Sequence, residues 1–89
     1  MLRHRIHLST HVDDVIEALN QLDFVEVYDN DSLKTIRLTE AIGTFRSSRE
    51  GCVIDLFDDD DGVEVKRLVA ELDSRGFDSE LETTRPNAE

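Results

Sequence analysis

Four consecutive aspartates, Asp58 to Asp61, form the densest run of one chemistry in the chain. Carboxylates at a strand-to-helix junction can hold Mg²⁺ or Ca²⁺, and Asp58, Asp60 and Asp61, with Asp55 upstream, are the candidate ligands. A calcium loop needs ligands at alternating positions, a central glycine and a distant bidentate glutamate, and this run lacks that order. Acidic residues ahead of a helix also stabilise its N-terminus without any ion, so the metal reading is the weaker one. His4, His7 and His11 are a second conceivable ligand set. On a strand, His4 and His7 point to opposite faces, and convergence with His11 would need an unusual turn.

Cys52 is the single cysteine, which leaves neither a disulfide framework nor a multi-cysteine zinc site open to the chain. Its inward position on a strand suits a small buried hydrophobe better than a nucleophile. Arg46-Ser47-Ser48-Arg49-Glu50-Gly51 combines two guanidinium groups with two hydroxyls. Arg46 and Arg49 there are candidate ligands for a phosphate or carboxylate, although the spacing matches neither a P-loop nor a dinucleotide-binding glycine motif. No pair of titratable groups is placed by spacing for acid–base or nucleophilic work. The expectation is a protein that is not an enzyme and needs no cofactor.

The elements that would position these residues follow from periodicity. Leu2 to Ser9 alternates, with Leu2, His4, Ile6 and Leu8 on one face and Arg3, Arg5 and His7 on the other, a half-buried strand. Thr10, followed by Asp13 and Asp14, reads as the cap and first turn of a helix whose stripe is Val12, Val15, Ile16, Leu19 and Leu22. Phe24 to Tyr28 and Leu33 to Thr39 read as two strands around an Asp29–Ser32 turn. Residues 40–51 fit either a hairpin arm or an irregular loop. Cys52 to Phe57 is a strong strand. Val65, Leu68, Val69 and Leu72 mark a second helix, with Gly76 as its left-handed terminus. Phe77 to Thr83 is a last strand, so residues 1–83 form one domain and 84–89 a flexible tail.

An internal echo bears on the architecture. Val15-Ile16, Leu19 and Phe24 recur at a constant offset as Leu68-Val69, Leu72 and Phe77, each set following a strand. Two strand–helix–strand units imply an α+β fold, a ferredoxin-like split β-α-β sandwich. Its antiparallel sheet would have four to five strands and both helices on one face. A meander of five strands with helices packed on one side is the alternative.

In that arrangement the uncovered face displays Arg3, Arg5, His7, Tyr28, Arg37, Val53, Asp55 and Phe57. The arginines would meet an acidic row (Asp78, Glu80, Glu82) on the last strand. Arg3, Arg5, Tyr28, Arg37, Val53 and Phe57 are the expected protein interface, because apolar groups on an otherwise acidic surface point to a partner. The simplest partner is a second copy. Nucleic acid is disfavoured but open. The sheet resembles RNA-recognition sheets only in topology, since their basic and aromatic run is absent.

The chain has 89 residues and a formal net charge of −11, with pI near 4.5. Eight of its 10 basic residues are arginine; Lys34 and Lys66 are the only lysines. This composition resembles cytoplasmic proteins of salt-in halophiles, where molar salt cuts the Debye length to about 3 Å and screens such a surface. No apolar run approaches the roughly 18 residues of a membrane span, and the Met1-Leu2-Arg3-His4 start lacks a signal-peptide stretch. The expectation is a small interaction or regulatory module of a salt-rich cytoplasm, self-associating, without membrane contact.

Overall fold

Six strands and two helices account for most of the chain in the computed structural model, which describes residues 2–29, 34–58 and 62–84. In chain order they are β1 (Leu2–Leu8), α1 (Val12–Leu19), β2 (Glu26–Asp29), β3 (Lys34–Arg37), β4 (Ala41–Ser47), β5 (Cys52–Asp58), α2 (Val63–Ser74) and β6 (Ser79–Thr84). The fold is α+β. One open sheet runs β2-β3-β4-β5-β1-β6, with every neighbouring pair antiparallel. The expected four to five strands are therefore six, and the difference is β4. The strand occupies the segment that had fitted either a hairpin arm or a loop, and it pairs with β3 on one side and β5 on the other.

Both helices bury their apolar stripes in one cluster with the sheet. Val15, Leu19, Val65, Leu68 and Leu72 are fully buried, packed with Ile6, Ile36, Ile54 and Leu56. The internal echo is reproduced position by position: Val15 and Leu68, and Leu19 and Leu72, are core residues. Ile16 and Val69, and Phe24 and Phe77, are half-buried around them. Burial of each large aliphatic side chain contributes about 1.5–3 kcal/mol, which makes this shared cluster the main adhesive between the helices and the sheet.

The helix ends differ in how they are held. Thr10 is not the cap of α1; His11 is, its Nδ1 accepting from the Asp13 amide at 3.2 Å. Imidazole can serve because the cap needs only an acceptor over the first free amides. At α2, the Glu64 carboxylate reaches back to accept from the Thr39 and Glu40 amides at 2.9 and 2.8 Å, tying the β3–β4 turn to the first turn of the helix. Gly76 has φ +89°, the expected left-handed exit. The Asp29–Ser32 turn lies largely outside the described residues, as do Asp60, Asp61 and positions 85–89 of the tail. Thr84 belongs to β6.

Candidate interaction site on the open sheet face

Strand alternation sends the even-numbered residues of β1 and β5 to the helices and the odd-numbered ones to the opposite face. The register arranges that face in rows across the strands. One row reads Glu26–Arg37–Ile42–Phe57–Arg3–Thr84. The next reads Tyr28–Thr35–Thr44–Asp55–Arg5–Glu82, and the third Arg46–Val53–His7–Glu80. All six residues expected at an interface (Arg3, Arg5, Tyr28, Arg37, Val53 and Phe57) stand on this one surface. Unforeseen are Ile42, Thr44 and Arg46, which β4 delivers to its centre.

Apolar exposure is concentrated here. Of the large hydrophobic residues that remain exposed among the described residues, Tyr28, Ile42 and Phe57 lie on this face, at 51%, 55% and 37%. Ile42 and Phe57 are direct cross-strand partners, so their side chains form one contiguous strip with Arg37 and Arg3 at its ends. Tyr28 donates its hydroxyl to Glu26 at 3.2 Å, at the β2 edge. Val53 is buried at this face yet stands outside the helix-facing cluster.

The charged centre of the face is Asp55, 6% exposed, with three arginines fanned over it. Arg5 Nε donates to Oδ1 at 2.7 Å, Arg46 Nη1 donates to Oδ2 at 2.9 Å, and Arg3 Nη2 lies 3.7 Å from Oδ1. The hydrogen bond to Asp55 raises the pKa of Arg5 still further. The expected pairing of the arginines with the β6 carboxylates takes a different form. Glu82 is opposite Arg5 in register, but its Oε1 is 3.4 Å from His7 Nε2. Asp55 wins because it is nearly dry, and charge attraction is stronger away from solvent.

The remaining candidates are dispersed. Of the two arginines expected to hold an anion, Arg46 is on β4 and bonds Asp55, and Arg49 is in the β4–β5 turn. Asp58 is buried on the helix side of β5, the opposite side from Asp55, and the two cannot share an ion. Asp60 and Asp61 lie outside the described residues. Cys52 is fully buried, and burial pushes its thiol up to about 11 against the opposing charge of Arg46, leaving it far from a thiolate at neutral pH.

His4 lies on the helix-facing side of β1 and is 2% exposed. Its Nδ1 meets Thr83 Oγ1 at 3.0 Å, while Nε2 lies 3.8 Å from Asp58 Oδ2, too far for a hydrogen bond. Burial lowers the imidazole pKa, Asp58 raises it and Lys66 lowers it. A side chain on Gly62 would collide with this ring. The ring is buried beneath the start of α2, where burial disfavours its protonated form.

Among the described residues no group of histidine, cysteine and carboxylate side chains is placed to hold a metal ion, and no helix is long and apolar enough to cross a membrane. No protein-family model, curated protein or solved structure matches the chain, so the open sheet face and its arginine fan are what a functional reading has to rest on.

Proposed function

We propose that the chain is a small non-enzymatic interaction module that self-associates by packing the open sheet face of one copy on that of another, in a salt-rich cytoplasm of the halophilic type. The observation that carries this reading is the exposed Ile42–Phe57 strip between Arg37 and Arg3. Exposed apolar side chains placed side by side across two strands, on a chain of net charge −11, cost solvation that a partner would recover. The area is adequate. Six strands about 4.8 Å apart, some 20 Å long, present roughly 500 Å² in projection, and a corrugated surface of that footprint approaches the 800 Å² per partner of a specific dimer.

Charge favours a second copy over an arbitrary protein. The face is basic in the middle, at Arg3, Arg5, Arg37 and Arg46, and acidic at both edges, at Glu80 and Glu82 on β6 and Glu26 on β2. Two such faces related by a two-fold axis and offset by a single strand set the acidic β2 edge against the β1 arginines of the other copy and keep most of the footprint in contact. The strand order supports the finer architectural reading. β6, β1 and β5 with helical crossovers α1 and α2 fit a split β-α-β arrangement, with the β3–β4 hairpin inserted between β2 and β5. We take the fold to be an enlarged ferredoxin-like sandwich on that basis.

The test is mass in solution, by light scattering across protein concentration and KCl, for the wild type and Phe57→Asp. A dimer that Phe57→Asp turns into a folded monomer is the expected result. A folded wild-type monomer that instead retains single-stranded nucleic acid would replace this reading with the use of the same arginines and aromatics on a nucleic-acid strand.

A further inference from the structure

The fan over Asp55 has more donors than its carboxylate can accept. Each guanidinium carries five N–H groups and a carboxylate about four acceptor positions, so most donors of Arg3, Arg5 and Arg46 remain for something else. The side chains of these arginines are 39%, 31% and 57% exposed, whereas the Asp55 side chain they share is 9% exposed. Arg3 Nε is buried without a hydrogen-bond partner among the described residues. Three guanidinium groups against two carboxylates, Asp55 and the neighbouring Glu82, leave one positive charge in surplus. This surplus is built on a chain whose overall charge is −11.

We propose that Arg3, Arg5 and Arg46, held in place by Asp55 and flanked by the Thr44 hydroxyl, form a binding site for a phosphate-type oxyanion. Asp55 acts as an internal anchor. By bonding Arg5 and Arg46 from below at 2.7 and 2.9 Å, it fixes their planes before any ligand arrives, which removes much of the rotamer entropy that long side chains lose on binding. Arginine forks then match the tetrahedral oxygens of phosphate by charge-assisted hydrogen bonds. Thr44 stands directly opposite Asp55 on β4 and is exposed, so its hydroxyl can donate to the same anion. The bound phosphate is either free or the phosphate of a larger molecule. In the second case Phe57, two residues along β5 on the same face, offers a ring against which an attached planar group would lie.

The site lies on the face that the proposed dimer would cover, so phosphate and a second copy compete for it, and one titration with a mass readout separates the two readings. The full chain, in about 2 M KCl to hold ionic strength constant, is titrated with inorganic phosphate while the amide and arginine Nε–H signals are followed by NMR. Light scattering on the same samples reports mass independently. Saturable shifts confined to β1, β4 and β5 on the open face are expected. Arg46→Gln should weaken binding at least about fivefold, since it removes one charged fork, and Arg49→Gln in the β4–β5 turn should leave it unchanged. Arg46 is the most exposed of the three, which protects the fold in that variant. Adenosine monophosphate and an oligothymidine serve as further probes. Tighter binding of the oligonucleotide, per phosphate, assigns the source to a nucleic-acid strand, and equal or weaker binding to a small phosphate. Shifts that fail to saturate, or that Arg46→Gln leaves untouched, overturn the proposal whether or not the protein is a dimer.

Discussion

Arg5 and Asp55 are direct cross-strand neighbours in the β1–β5 pair, and the Arg5 Nε donates to Asp55 Oδ1 at 2.7 Å on the uncovered side of the sheet. The pair links a strand near one edge of the sheet to its interior, and Arg46 extends the link to β4 on the other side of β5. One carboxylate thus clamps three adjacent strands and at the same time sets the charge at the centre of the open face.

Replacing Asp55 by Asn keeps its shape and removes the charge that gathers the three arginines. The expected loss is about 1–3 kcal/mol, the range for a hydrogen-bonded charged group in a mostly dry position, with like charges left facing one another. Denaturant midpoints at fixed salt measure it, and no change in midpoint would mean that solvent already screens the cluster.

Two glycines make a contrasting pair. At Gly43 a Cβ would run into the backbone carbonyl of Asp55 on the neighbouring strand, where neither side can yield without opening the β4–β5 ladder. Gly43→Ala is expected to cost on the order of 3 kcal/mol or more, or to prevent folding. Gly76 has open space around its missing side chain but φ +89°, so Gly76→Ala should cost only the left-handed backbone strain of about 1–2 kcal/mol. Circular dichroism with thermal melts separates the two.

Acid should destabilise the protein through His4. The folded-state pKa is lowered below the ordinary 6.5 by burial, so the unfolded chain takes up the proton more readily than the native one. Stability is then flat above pH 6.5 and falls as the pH drops below it, down to the folded pKa. Unfolding curves between about pH 7 and pH 5 in wild type and His4→Gln test this; the variant should lose that slope, because Gln keeps a polar contact for Thr83 and does not titrate there.

Cys52 should behave as a clock for opening. A thiol at about 11 and with no exposed surface is neither ionised nor reachable in the native state. Alkylation at neutral pH should therefore proceed only through unfolding, and its rate should rise with denaturant. Rapid modification of the folded protein would contradict the burial of β5.

The strands and helices that were legible in advance are those with strong periodicity. β1, β5 and the stripes Val15–Leu19 and Leu68–Leu72 were plain from spacing, and the matching burial of the echoed positions follows from that. β4 was ambiguous for a physical reason. Its inward positions are Ala41, Gly43 and Phe45, and a side chain at Gly43 would run into the Asp55 backbone of the adjacent β5. Its outward positions include the apolar Ile42, so the alternation is muted and partly inverted. With β4 in doubt, Arg46 read as a loop residue beside Arg49. The convergence of Arg3, Arg5 and Arg46 was hidden because it depends on two strands meeting across a third. Asp55 was visible as an open-face residue, but its role as the shared partner needed the register. The His11 cap escaped because Thr10 is the commoner cap type and the two are adjacent.

The central claim, self-association through the open face, is tested most directly by the molar mass of the full chain in light scattering, from low salt to about 3 M KCl, for wild type, Phe57→Asp and Ile42→Asp. The account predicts a folded dimer in high salt and folded monomers for both variants, since each charge is placed in the Ile42–Phe57 strip. A wild type that remains a monomer at every salt and protein concentration, with the fold intact, would contradict it.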